Sequence, residues 1–172
     1  PDERQVFFPD LNELSSLGGR KEYLNSPFVA AGDRVYLIGN QNGAFPDMGW
    51  HVQGEMGGIW LHPIKLMDGF TASVSVGEKT YCLDSAESFT NYPFTNVLKF
   101  SLADIGIEVE RLHFVPDGKE GMTVLFRFKN VDKSENSLRF QFNAFVDLTP
   151  VWLGEKTGME DFPDEISFDA NT

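Results

Sequence analysis

Between residues 138 and 148 apolar and polar side chains alternate. Leu138, Phe140, Phe142, Ala144, Val146 and Leu148 take every second position, separated by Arg139, Gln141, Asn143, Phe145 and Asp147. A period of two puts successive side chains on opposite faces of an extended chain, so this stretch reads as one long strand with an inward face. The pattern recurs at residues 69–77, where Phe70, Ala72, Val74 and Val76 point inward and Thr71, Ser73 and Ser75 outward. Further strands are expected at 28–31 and 34–38 across a Gly32-Asp33 turn, at 79–84, 94–102, 105–114 and 122–130. Within 105–114, Ile105, Ile107 and Val109 alternate, and Leu112 and Phe114 resume the apolar set after Arg111. Turns at 116–121 and 132–136 separate the last three strands. No helical run of ten residues or more intervenes, and parallel strands need such crossovers. Sixteen phenylalanines suit the wide gap between two packed sheets. The expected fold class is all-β, a large antiparallel two-sheet β-sandwich.

Length and charge set the outer limits. A chain of 172 residues suits one domain that buries roughly 70% of its unfolded surface and needs no disulfide or metal to fold. Only 14 Lys and Arg stand against 26 Asp and Glu, net charge -12, which argues against nucleic acid, whose binding needs clustered cations. No apolar run approaches the roughly 18–20 residues of a membrane helix, so no membrane is expected as a partner. The single cysteine, Cys82, rules out an internal disulfide framework and reads as a small buried hydrophobe. A soluble chain of this kind fits the cytoplasm or the periplasm. Residues 1–26 are expected as an N-terminal extension, in which Leu11 and Leu14 share a short helical turn closed by Gly18-Gly19. Residues 27–154 then form the sandwich. Residues 155–172 carry six acids and one base, net -5, and read as an acidic linker to a further C-terminal domain, since both ends of the chain look cut.

The compositional anomaly is residues 39–69, with seven of the sixteen glycines, two of the three tryptophans and two of the three histidines. Such a stretch reads as a shaped loop, and long ordered loops are uncommon unless functional. Trp50 and Trp60 offer flat apolar faces on which sugar rings could stack, and His51, Glu55 and His62, with Asp47 and Gln53, offer polar contacts. The plainer reading is that both tryptophans seal a sheet edge and the histidines bond locally. His51, Glu55 and His62 are also ligand types for a metal, but Gly54, Gly57 and Gly58 oppose the helix that would align them, so no metal and no cofactor is expected. Glu108 and Glu110, two residues apart on one strand face, have the separation of a glycosidase pair, but on an amphipathic strand they read as ordinary solvated acids. His113 sits alone on its strand, and no nucleophile elbow, dinucleotide fingerprint or phosphate loop occurs. No catalytic residue is nominated.

Residues 100–153 have a particular layout. Gly106-Ile107-Glu108-Val109 leads into His113-Phe114-Val115-Pro116, then a turn, then Met122-Thr123-Val124-Leu125-Phe126-Arg127-Phe128-Lys129-Asn130, and a long strand ends in Phe145-Val146-Asp147-Leu148-Thr149-Pro150-Val151-Trp152. With the earlier Gly39-Asn40-Gln41-Asn42-Gly43-Ala44 after the first hairpin, residues 28–153 resemble the N-terminal supersandwich domain that precedes the (α/α)6 barrel in glucoamylase-like, maltose-phosphorylase-like and amylo-α-1,6-glucosidase (glycogen-debranching) enzymes. The resemblance implies that the catalytic carboxylates lie on a helical barrel outside these residues. It implies that the β-domain packs on that barrel in cis, and that Trp50, His51 and Trp60 lie nearest an oligo- or polysaccharide cleft. Residues 48–67 have no counterpart in that pattern. The expected function is therefore a noncatalytic domain of a carbohydrate-active enzyme, a glycoside hydrolase. The alternative is a free-standing carbohydrate-binding β-sandwich module.

Overall fold

The computed structural model describes residues 10–49, 54–132, 135, 137–151, 160 and 162–165. Eleven strands are found among them, with two single-turn 3-10 segments and no α-helix. β1 (Leu17–Gly18), β7 (Ser88–Asn91), β8 (Thr95–Leu102), β9 (Ile107–Phe114) and β10 (Thr123–Asn130) form the first sheet in that spatial order. The second sheet runs β11 (Arg139–Pro150), β5 (Ile64–Val76), β4 (Gly58–Leu61), β3 (Tyr36–Asn40), β2 (Pro27–Ala31), and β6 (Lys79–Cys82) pairs with the far half of β5. Every pairing is antiparallel, so the expected two-sheet sandwich is the architecture found. β1 adds to the edge of the first sheet, so pairing begins upstream of Pro27.

The core fills as the alternation requires. Leu37, Phe70, Ala72 and Val74 of the second sheet meet Leu98, Phe100, Ile107 and Val109 of the first. Phe28 and Phe89 close the far end with ring centroids 5.0 Å apart. Each of these valine, leucine, isoleucine and phenylalanine side chains contributes about 1.5–3 kcal/mol when fully buried. At the opposite edge β10 and β11 face each other through Phe126, Phe128, Phe140 and Phe142, with the Phe126–Phe140 centroids 4.8 Å apart. Cross-strand ion pairs line the outer side of β8–β10: Glu110 with Lys99 and Arg127, both at 3.1 Å, and Glu108 with Lys129 at 3.0 Å. These two acids are thus tied up by neighbours on adjoining strands.

Four local expectations change. The stretch 39–69 is not one loop, because Gly58–Leu61 and the start of β5 are strands inside it; among the described residues, 41–49 and 54–57 are the loop segments. β4 escaped the period-two reading because both its faces are covered and its first residue is a glycine. Cys82 is exposed, since β6 pairs only with the tip of β5; the buried neighbour is Leu83. On β9 the inward phase does not switch after Arg111: Ile107, Val109, Arg111 and His113 are all buried. On β11 the in-phase Phe140 and Phe142 do turn toward Phe126, but they stand at the sandwich edge and stay 38% and 43% exposed. Register shifts at Phe145/Val146 and Val146/Thr149 break the alternation beyond them.

Candidate functional site

Of the expected carbohydrate-contact residues, Glu55, Trp60 and His62 lie among the described residues. Trp50 and His51 lie outside the described residues. Trp60 is 4% exposed. It sits on the outer side of the second sheet, between Tyr36 of β3 and Lys65 of β5, its cross-strand partners. Its indole N–H donates to Gly57 O at 2.9 Å, and its ring stacks on Tyr36 at 6.3 Å with a 7° tilt. Glu55 is half-buried on loop segment 54–57, and His62 is exposed on the turn between β4 and β5.

The loop is pinned over the sheet by a lysine. Lys65 is buried, and its Nζ donates to Gly54 O at 2.9 Å and to Asp68 Oδ1, with Asp147 Oδ2 at 3.3 Å. The same ammonium lies 5.9 Å from the Trp60 ring centroid, a cation–π arrangement. Loop, indole and three strands are thereby joined at one point. Composition alone flagged the glycines and tryptophans. The anchor, Lys65, is visible in the sequence as the only base between residues 39 and 69.

At the loop's other end, Asn40-Gln41-Asn42-Gly43-Ala44 forms a clasp. Asn40 N–H donates to Ala44 O at 2.9 Å, Asn42 N–H to Leu24 O at 2.6 Å, and Ala86 N–H to Asn42 O at 2.8 Å. The Asn42 side chain receives Ala44 N–H and donates to Asn25 Oδ1. Gly43 has φ +98°, and a Cβ there would lie 2.7 Å from Arg111 Nη2, so only glycine fits. Arg111 reaches across from the first sheet. Its Nη2 donates to Gly43 O at 2.8 Å and its Nη1 to Leu83 O at 3.3 Å, with the guanidinium between the Phe70 and Phe100 rings. Burial lowers its pKa to about 9, against a smaller raising effect of Asp84.

His113, two residues on, is fully enclosed. Its Nδ1 is 2.6 Å from Asn96 Oδ1, so Nδ1–H is the donor and Nε2 carries the lone pair, with no hydrogen-bond partner among the described residues. Burial, with Arg111 adding to it, holds the imidazole well below its ordinary range, so it is neutral. Its ring stacks on Phe28 at 5.5 Å. Both polar residues are core fixtures. Their burial was legible in principle, since they share the parity of Ile107 and Val109.

The opening into which His62 projects lies at the rim of the second sheet. Gly32, Asp33, Arg34, Tyr36, Leu61 and His62 line a depression of about 520 Å³ between the β2–β3 and β4–β5 turns. Burial raises the Tyr36 hydroxyl pKa. Arg34 pairs with Glu120 at 3.1 Å. Among the described residues no group of three or more His, Cys, Asp or Glu is placed to hold a metal ion. Nor is any helix there long and apolar enough to cross a membrane. Compared with family models, with curated proteins and with solved structures, the chain finds no match in any of the three.

Proposed function

We propose that this chain is a noncatalytic β-sandwich domain of a carbohydrate-active enzyme, a glycoside hydrolase whose chemistry resides on a helical barrel packed against it. The observation that carries the reading is the edge strand β11. Phe140, Phe142, Phe145, Val146 and Leu148 are all exposed along its 12 residues. Isolated domains rarely leave so many apolar side chains exposed along one edge strand, and interdomain contacts cover surfaces of this kind. Natural edge strands are usually short or guarded by lysine, proline or charge. β11 carries its proline only at the end, and its one lysine-like guard, Arg139, only at the start. The resemblance in residues 28–153 names the occupant as a helical domain in cis. The sugar specificity would then be shared, with the sandwich contributing contacts near the cleft.

The alternative, a free-standing carbohydrate-binding module, draws support from the rim depression rather than from Trp60, which is covered. The test is to express the whole natural reading frame beside residues 1–172 and assay both on malto-oligosaccharides and glycogen. The proposal expects glucose release from the whole polypeptide only. It also expects slower amide exchange along β11 in the whole polypeptide than in the 172-residue chain. Hydrolysis by the 172-residue chain alone, or a reading frame without a helical domain, overturns it.

A further inference from the structure

We propose that the depression at the rim of the second sheet is a binding subsite for a neutral pyranose residue. Tyr36 is its stacking platform, and Asp33, Arg34 and His62 bind the sugar hydroxyls. This inference rests on the carbohydrate reading above and assigns a place to it.

A sugar ring presents an apolar C–H face and a polar rim, so its receptor needs a rigid aromatic surface ringed by hydrogen-bonding groups. Tyr36 supplies such a surface. One side of its ring is backed by Trp60, itself fixed through Gly57 O. Its cross-strand neighbour on the other side is Ala31, whose methyl group is too small to cover a phenol ring.

Of the polar groups, Asp33 is the one fixed by the fold. Asp33 N–H donates to Asp117 Oδ1 at 3.0 Å, while Gly118 N–H donates to Asp33 Oδ1 at 2.6 Å, a reciprocal clasp between the turns of the two sheets. A Cβ on Gly32 would fall 2.8 Å from Pro116 O, so this wall stands in direct backbone contact with the opposite turn. Arg34 spends one nitrogen on Glu120 and keeps further N–H donors in its fork. His62 is exposed and has no hydrogen-bond partner among the described residues, leaving both ring nitrogens for a ligand. A volume of about 520 Å³ holds a sugar residue with room for its neighbour in a chain. Charge decides the class of sugar. Arg34 is balanced by Glu120, Asp33 adds a negative group, and the chain carries -12, so a uronic acid or a phosphosugar meets net repulsion.

The experiment is calorimetric titration and saturation-transfer NMR of the 172-residue chain with maltotriose, maltoheptaose and cellotetraose, and with an oligogalacturonate as the charged arm. Binding is expected in at least one neutral arm and absent in the charged one. Tyr36→Ala should weaken it at least tenfold, Tyr36→Phe less than threefold, and His62→Ala three- to tenfold. Tyr36 also supports Trp60, so circular dichroism accompanies each variant, and the exposed His62 carries the test if Tyr36→Ala unfolds. The subsite is overturned if no neutral oligosaccharide binds, if His62→Ala and the folded Tyr36 variants bind as the parent does, or if the oligogalacturonate binds better. Glucose release by the whole polypeptide is a separate readout. If it persists while the subsite fails, only the subsite is lost.

Discussion

Replacing Lys65 with methionine should loosen loop segment 54–57 while leaving the sandwich folded. Methionine keeps most of the buried stem but removes the ammonium that joins Gly54 O, Asp68 and Asp147. Gly54 O then loses its donor, which costs about 1–2 kcal/mol for a part-buried carbonyl. Removing one partner of a fully buried ion pair costs about 3–5 kcal/mol. Here Asp68 is 57% exposed and turns into water at little cost, whereas Asp147, at 25%, is less free to do so. The carboxylate contribution therefore shrinks to about 1 kcal/mol, for a total near 2–3 kcal/mol. At about 2–4 °C per kcal/mol for a chain of this size, Tm should fall by about 4–12 °C. The assay is urea and thermal unfolding by circular dichroism, with Trp60 fluorescence read in a Trp50→Phe, Trp152→Phe background. Emission should shift to the red as the loop uncovers the indole. In the double variant Lys65→Met, Asp147→Leu the unpaired acid is gone, and about 1 kcal/mol should return. A loss under about 0.5 kcal/mol, well inside the range of ordinary surface substitutions, would refute the pinning role. So would a double variant less stable than the single one.

The buried neutral His113 predicts an acid-side loss of stability. Its folded pKa lies below the unfolded value, so the unfolded chain takes up a proton below about pH 6.5 that the native state refuses. The urea midpoint should fall from pH 7 to pH 5, and His113→Phe should flatten that slope; an unchanged slope argues against the assignment. For Glu110, burial raises the pKa, but the bonds and charges of Lys99 and Arg127 together outweigh it and the net shift is downward. Its contribution is present above the unfolded carboxylate value of about 4.3 and fades as pH falls through the lower folded value, so Glu110→Gln should destabilise at pH 7 and be neutral near pH 2. Exposed Cys82 should react with a thiol reagent to one equivalent in native buffer, whereas a buried thiol would react only in denaturant. Phe145→Ser with Leu148→Ser, both at exposed sites on β11, should change the urea unfolding midpoint by less than the Lys65 variant does.

Period two was the direct imprint that made β5, β9 and β11 legible, while β8 and β10 were read as apolar runs bounded by turns. β4 was hidden because the core covers one of its faces and the glycine-rich loop the other, which erases alternation. β7 was hidden by its brevity and by Ser88, Thr90 and Asn91 around a single apolar Phe89. The site was legible in part. Glycine and tryptophan density located the loop segments 41–49 and 54–57, yet the fold turns Trp60 beneath the second and leaves Tyr36 as the aromatic on the open side. Tyr36 carries no local signal, because a tyrosine in a strand is ordinary. Its meaning arises only when pairing places Trp60 on one side and Ala31 on the other.

The bond from Arg111 to Gly43 spans 68 residues of chain. Contacts this distant form late, after the entropy of closing the intervening segment has been met. The bonds of the clasp to Leu24, Asn25 and Ser26 can close locally, whereas its bond to Arg111 waits for β9, so during synthesis it needs the second half of the chain to emerge. One guanidinium thus makes a loop of the second sheet depend on the first: the latch closes only when the two halves of the chain meet.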